Sequence, residues 1–270
     1  MFQLLSVIFI IICFVSSAKC DDNIFTSTNV IRAEVRRLGS EAIQVATTPA
    51  DIEGYGFFGT LATAGAVGLT YVYDSDIRAK IQLNKSHSLD RATDAGAVLG
   101  NPFLHLGVAA AVYGGGIVAT SPKYRELGEM MGESLLLADV STLLLKESIG
   151  RARPFTSGDK GNFRPFQLQS DYDSLPSMHT ASSFALASVL AATAESPLVK
   201  TTYYAAASFV AYSRLYQDKH WASDVVLGAI IGELCGRVVL AAHAGNKEQR
   251  LVVTPAVTGD TASVLVVGHW

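Results

Sequence analysis

Apolar positions recur in six helix-length runs, at about 54–73, 96–120, 128–148, 180–195, 199–216 and 222–243, and this spacing predicts six helices. Turn formers and breakers punctuate them. Asp74-Ser75-Asp76 stops the first run, Ser121-Pro122 the second, and Arg153-Pro154 the third. Ser196-Pro197 divides the fourth from the fifth, and Gly245-Asn246 closes the sixth. Ahead of them, 24–49 reads as a polar, weakly amphipathic approach segment. The period changes at the tail. Leu251–Val257 and Ala262–Val267 are rich in Val and flank Thr258-Gly259-Asp260-Thr261, which predicts a β-hairpin. Two strands cannot close a barrel, so a hairpin packed on the helical body is the favoured reading. The pattern as a whole is an all-α bundle of six helices with a short hairpin after it. Its boundaries are a leader at 1–19, an N-terminal segment at 20–53, a helical domain at 54–246 and a tail at 247–270.

The leader is set apart by an almost unbroken apolar run, Leu4–Val15, followed by Ser16, Ser17 and Ala18 and then by charge at Lys19, Asp21 and Asp22. That is the core and small-residue cleavage site of a secretory signal, although no Lys or Arg precedes the run. The alternative is an uncleaved anchor, for which the run falls short of the roughly 20 residues of a bilayer span. Cleavage near Ala18 removes Cys13. Lys19 stands where a bacterial lipobox places a small residue, which disfavours lipidation of Cys20. Cys235, in an apolar helical stretch, reads as a buried free thiol. An exported protein of the periplasm or envelope follows, with an integral membrane protein as the alternative.

Composition and charge sharpen this only a little. The 270 residues carry a formal charge of −3 with no basic face or arm, which excludes a nucleic-acid partner. The leader supplies roughly half of the apolar excess. The third run carries Glu129, Glu133 and Asp139, and the sixth an i,i+4 pair, Glu233 and Arg237. A soluble or membrane-surface-associated bundle is favoured over one that crosses the bilayer.

Three clusters carry the candidate chemistry. In the first, Lys146-Glu-Ser-Ile-Gly-Arg-Ala-Arg153-Pro154, three cations fall within eight residues at a helix end. One Lys there is usually a partner for the helix dipole. Three can grip a tetrahedral oxyanion, Arg153 as a bidentate fork and Lys146 as a point charge. In the second, Pro176-Ser177-Met178-His179 opens a helical run. Ser177 alone is a plain N-cap, but a helix start also presents free N–H groups to an anion, and His179 on that turn can give a proton to a leaving oxygen. No nucleophile elbow surrounds Ser177. In the third, Ser213-Arg214 precedes His220 and Asp224, whose spacing puts imidazole and carboxylate on one face. Such a pair alone is common as surface hydrogen bonding. Between the first two lies a polar loop, 155–175, with Gly158, Gly161, Pro165, Phe163, Arg164, Phe166 and Tyr172, whose length marks it as shaping access to a site.

The ordered set, Lys-x6-Arg-Pro, then Pro-Ser-x-His, then Ser-Arg-x5-His-x3-Asp, resembles the signature of the superfamily uniting type 2 phosphatidic acid phosphatases, bacterial class A acid phosphatases and vanadium haloperoxidases. Every defining position is present, and Met178 stands where Gly is usual. The likeness in helix count extends over about 54–243. It implies the six-helix acid phosphatase and vanadium-chloroperoxidase type of bundle and a metal-independent phosphatase acting on phosphate esters. By this resemblance His220 is the nucleophile that forms a phosphohistidine, Asp224 orients it, and His179 is the acid and base. Lys146, Arg153, Arg214, Ser177 and the Met178 amide would hold the phosphate oxygens. No cofactor and no metal site are implied, there being no H-x-x-H or carboxylate cluster. The alternatives are a vanadium haloperoxidase, with vanadate as cofactor, and a non-catalytic envelope protein. A soluble exported enzyme would take broad phosphomonoesters. A membrane enzyme would take phosphatidic acid, undecaprenyl pyrophosphate or a lipid A phosphate.

Overall fold

The computed structural model describes residues 28–51, 56–248, 251–258 and 261–268. The expected leader at 1–19, Cys20 and Trp270 lie outside the described residues. The chain divides into two units, Met1–Ala46 and Thr47–Trp270. Helix α1, Thr28–Thr47, supplies the described part of the first. In the second a short 3-10 turn, Thr48–Ala50, leads to α2 (Gly56–Leu83), α3 (His87–Leu99), α4 (Pro102–Val118) and α5 (Pro122–Ile149). A loop then leads to α6 (Met178–Thr193), α7 (Pro197–Tyr216) and α8 (Ala222–Glu248). Strands β1 (Leu251–Thr258) and β2 (Thr261–Gly268) pair antiparallel, with Leu251 opposite Gly268 and Thr258 opposite Thr261. Their side chains lie outside the described residues.

The described residues thus form eight helices where the hydrophobic pattern gives six; two local reasons account for the count and a third for the length of α2. The approach segment, read as polar and weakly amphipathic, contains the 20-residue α1. The run 96–120 is cut at Gly100-Asn101-Pro102. Asn101 caps α4, its side-chain oxygen accepting from the Phe103 and Leu104 amides at 2.8 and 3.3 Å, and Pro102 sits at the first helical position, where its missing N–H costs nothing. The residues before the cut make α3, capped by Ser86. Finally, α2 does not stop at Asp74-Ser75-Asp76 but continues to Leu83, because Asp74 is buried against partners on other elements instead of breaking its own helix.

Small residues let the central helices approach closely. Gly228, Gly232 and Gly236 form an i,i+4 stripe on α8, and a Cβ at each would come within 2.5 Å of Ser177 O, 2.2 Å of Ala181 O and 2.5 Å of Ser188 Cβ. The α6–α8 pair therefore packs backbone to backbone. Met131, Leu135 and Ala138 of α5, Ala181, Ala185 and Val189 of α6, and Val239 of α8 fill the core, together with Cys235, a buried free thiol as the sequence indicates. α5 ends on Gly150 at φ 61°, whose N–H returns to Lys146 O, the left-handed cap that favours glycine. Among the described residues one segment, Ala222–Ala244, is long and apolar enough to cross a membrane, and 39% of its window is buried inside the body. The pair α3 and α4, bent by 52°, passes the same test together.

Candidate active site

The close α6–α8 packing brings two helix N-termini together, and the amide of Ser177, at the cap of α6, donates to Asp224 O on the first turn of α8 at 3.0 Å. The last turn of α5 brings Lys146 to the same place, and the last turn of α7 brings Arg214. The loop between α5 and α6 returns over these ends. Ala152 N donates to Asn162 O, Arg164 N to Gly150 O and Arg153 N to Asp171 O, so the loop carrying Arg153 and Asp173 is pinned beside Lys146.

Lys146 is buried, donates to the Asp173 carbonyl and lies 3.9 Å from the Asp173 carboxylate. Arg153 donates from Nε to Asp173 Oδ1 at 2.6 Å and to Ser170 O at 2.8 Å. Burial alone would raise the Asp173 carboxyl, but Lys146 and Arg153 hold it below the usual range. Arg214 donates from Nη1 to Gln217 at 3.0 Å, while its Nε is buried and makes no hydrogen bond among the described residues. A buried guanidinium donor left without an acceptor is costly, and here it stands near Arg153, which shares the Asp173 carboxylate with Lys146. Burial, assisted by neighbouring positive charge, lowers both Arg214 and Lys146. Arg214 falls to about 10 beside Arg153, and Lys146 to about 8, with Asp173 opposing and Arg153 and Arg214 assisting.

Both histidines stand in the field of these cations. Burial and the charges of Lys146, Arg153 and Arg214 push His220 well below the usual imidazole value. Burial, then Arg214, Lys146, Arg153 and the ring of His105, lower His179 to about 3. Both rings are therefore neutral at pH 7. The His220 Nδ1 is 2.7 Å from Ser174 O. A carbonyl only accepts, so Nδ1 carries the hydrogen and Nε2 keeps its lone pair. Ser177 is buried, its Oγ accepts from Thr180 at 3.0 Å, and its own hydroxyl hydrogen is left for another acceptor. Met178 and His179 occupy the first turn of α6, where amides have no intrahelical acceptor.

Two sequence expectations need refining. Asp224 does not hold the His220 ring directly, because the closest approach is 3.7 Å. It accepts instead from Ser174 Oγ at 2.5 Å, Trp221 N at 2.8 Å and Arg151 Nη1 at 2.6 Å, and it is Ser174 that presents the carbonyl to the ring. The third cation of the first cluster, Arg151, faces away from the other two. It is fully buried, bonded through Nη2 to Asp74 at 2.8 Å, and ringed by Tyr71, Trp221 and Phe163 at 5.0, 5.3 and 5.7 Å. Asp173, Ser174 and Asp74 were not singled out from sequence. The first two were legible only as loop polarity, and Asp74 looked like a helix stop.

Residues 130–248 match the model of the PAP2 superfamily. A lipid A 1-phosphatase of Porphyromonas gingivalis is 35% identical over 101 residues, which are 36% of this chain and 23% of that one. A lipid A 1-phosphatase of Rhizobium johnstonii is 30% identical over 108 residues, 39% of this chain and 43% of the relative. The chain thus spans less than half the length of these relatives. Among solved structures, a transmembrane PAP2-type phosphatidylglycerolphosphate phosphatase from Bacillus subtilis shares the fold, with a TM-score of 0.55 at 21% identity over 72% of this chain and 96% of that one. All three motif clusters fall inside the region that matches the PAP2 superfamily model.

Proposed function

We propose that the protein is a metal-independent phosphatase that hydrolyses phosphate monoesters, with a lipid phosphate as its substrate, through a phosphohistidine on His220. What carries this reading is the convergence of Lys146, Arg153 and the buried Arg214 on two histidines, whose rings all three cations depress. Lys146, Arg153, Arg214, the Ser177 hydroxyl and the first-turn amides of α6, that of Met178 included, would hold the three non-bridging oxygens. Such positioning and charge stabilisation is most of what phosphoryl transfer requires. The His220 Nε2 lone pair attacks phosphorus as the bond to the ester oxygen breaks, and His179 gives that oxygen its proton. Neutral His179 then takes a proton from water, whose oxygen attacks the phosphohistidine, releasing phosphate and restoring His220. Asp224 supports His220 through Ser174.

The lipid preference rests on relatives that act on lipid phosphates and on the apolar groups of the loop over the site. Phe155, Phe163, Phe166 and Leu168 are all exposed there, Phe166 and Leu168 at positive φ of 59° and 53°, and Phe166 N is tied to Glu147 O beside the last turn of α5. Exposed apolar side chains on the loop that carries Arg153 suit acyl chains and support a location at an envelope membrane surface. Purified protein should hydrolyse a short-chain phosphatidic acid in detergent faster than glycerol phosphate, and orthovanadate should inhibit it. Activation of halide oxidation by vanadate would replace this reading with a haloperoxidase. Failure to release phosphate from any monoester would replace it with a non-catalytic protein.

The depressed Lys146 gives a pH dependence of known sign. Its charge is present below about 8 and is lost as pH rises through that value. Free enzyme above pH 8 therefore binds phosphate poorly, so kcat/KM should fall there. kcat should hold, because the bound dianion raises the pKa of the lysine again. Lys146→Arg, whose guanidinium keeps its charge over this range, should abolish that limb even if overall affinity drops.

A further inference from the structure

The nucleophile's supports do not end at Asp224. From His220 a line of buried hydrogen bonds runs through the Ser174 carbonyl, the Ser174 hydroxyl and Asp224 to Arg151, and from Arg151 to Asp74 on α2, outside all three motif clusters. Asp74 makes two further contacts. Its Oδ1 accepts from the Ser223 amide at 2.9 Å and its Oδ2 from the Ser223 hydroxyl at 2.6 Å. Ser223 lies in the first turn of α8, where amides lack an intrahelical partner, so a carboxylate from another helix caps the turn that bears Asp224 and follows His220. The same helix grips that turn again. Arg78, one turn beyond Asp74, pairs with both oxygens of Asp218 at 2.7 Å and holds it at a φ of 60°.

Arg151 sits between two carboxylates, Asp74 and Asp224, each fully desolvated. One guanidinium shared by two carboxylates leaves a net negative charge on the pair. Part of that charge faces Ser174 and the Nδ1 side of His220, where it favours the positive ring that forms when Nε2 bonds to phosphorus. Without the Asp74 charge, Arg151 would neutralise Asp224 alone.

We infer that Asp74 is a positioning residue for His220, acting through Arg151 and through the first turn of α8. This rests on the phosphohistidine reading, and its test separates the two. Asp74→Asn keeps the shape and one acceptor but turns an NH2 group toward donors on Arg151 and Ser223. It should lower kcat about 10- to 100-fold, as loss of an outer-shell partner does elsewhere. KM and the inhibition constants of phosphate and vanadate should stay within about threefold of wild type, because the cage of Lys146, Arg153 and Arg214 is untouched. Parallel loss of kcat and vanadate affinity would assign Asp74 a purely structural role and overturn the inference, as would unchanged kcat. If the Asn variant does not fold, Ser223→Ala decides. It keeps both carboxylates and Arg151 but removes the hydroxyl between them, so it should lower kcat with vanadate inhibition unchanged, and an unchanged kcat overturns the inference. A wild-type enzyme without phosphatase activity would instead remove the underlying reading.

Discussion

His220→Ala should lower turnover of phosphate monoesters by roughly 10⁴-fold or more, the scale seen when a covalent nucleophile is removed. The fold should survive. Among the described residues the ring makes one hydrogen bond, to Ser174 O, and truncation leaves that carbonyl to water or to cost about 1–3 kcal/mol. Against this, the ring is buried beside three cations, so its loss admits water to Lys146, Arg153 and Arg214 and relieves part of their desolvation. Phosphate and vanadate should therefore still bind, and the melting temperature should change little. Acid quenching after brief mixing with labelled substrate should trap phosphate on the wild-type protein and none on the variant. A His220→Ala protein with wild-type turnover would end the assignment of His220 as nucleophile, whatever the other residues do.

The positions of the residues proposed to hold phosphate were readable from the chain where they sit at helix ends. A Lys in the last turn before a Gly cap, a Ser before a helical run and an Arg at a helix C-terminus are local patterns, and α5, α6 and α7 place Lys146, Ser177 and Arg214 as those patterns indicate. What surrounds the cage was not readable, because it depends on partners 50 to 149 positions apart, such as Ser174 with Asp224 and Asp74 with Ser223. Asp74-Ser75-Asp76 resembles a helix stop only while Asp74 is assumed to be solvated. Once Arg151 and Ser223 satisfy its carboxylate, α2 runs on for nine more residues to Leu83. Likewise Arg151 is indistinguishable from Arg153 by spacing, yet one closes a buried carboxylate pair and the other faces the site with Asp173. The helix count failed for a related reason. Gly100-Asn101-Pro102 interrupts a run whose hydrophobicity is continuous, and only the capping bonds of Asn101 show that the chain turns there.

His179→Asn should produce the other large loss, and its size should depend on the leaving group. An alkoxide from a lipid or glycerol ester must be protonated as it departs, whereas a nitrophenolate is stable without a proton. General acid catalysis is worth about 10²–10⁴-fold. The variant should lose about that much kcat on the alkyl ester and no more than about tenfold on the nitrophenyl ester. In the free site His179 is held at about 3 by burial and by the three cations, so at pH 7 it has no proton to give. The proton arrives with the monoanionic substrate. The phosphate charge then held in the site cancels much of the cationic field and raises the ring's pKa so that the ring can take that proton. A phosphate monoester carries one exchangeable proton below its second pKa, about 6. Raising the pH past that point removes this proton while His179 is still neutral, so kcat/KM on the alkyl ester should fall. The nitrophenyl ester, which needs no acid, should keep a flatter profile up to the Lys146 limb. Equal losses on both esters in His179→Asn, with matching pH profiles, would show that the ring shapes the site without donating a proton, and the acid would have to be sought elsewhere in the cage.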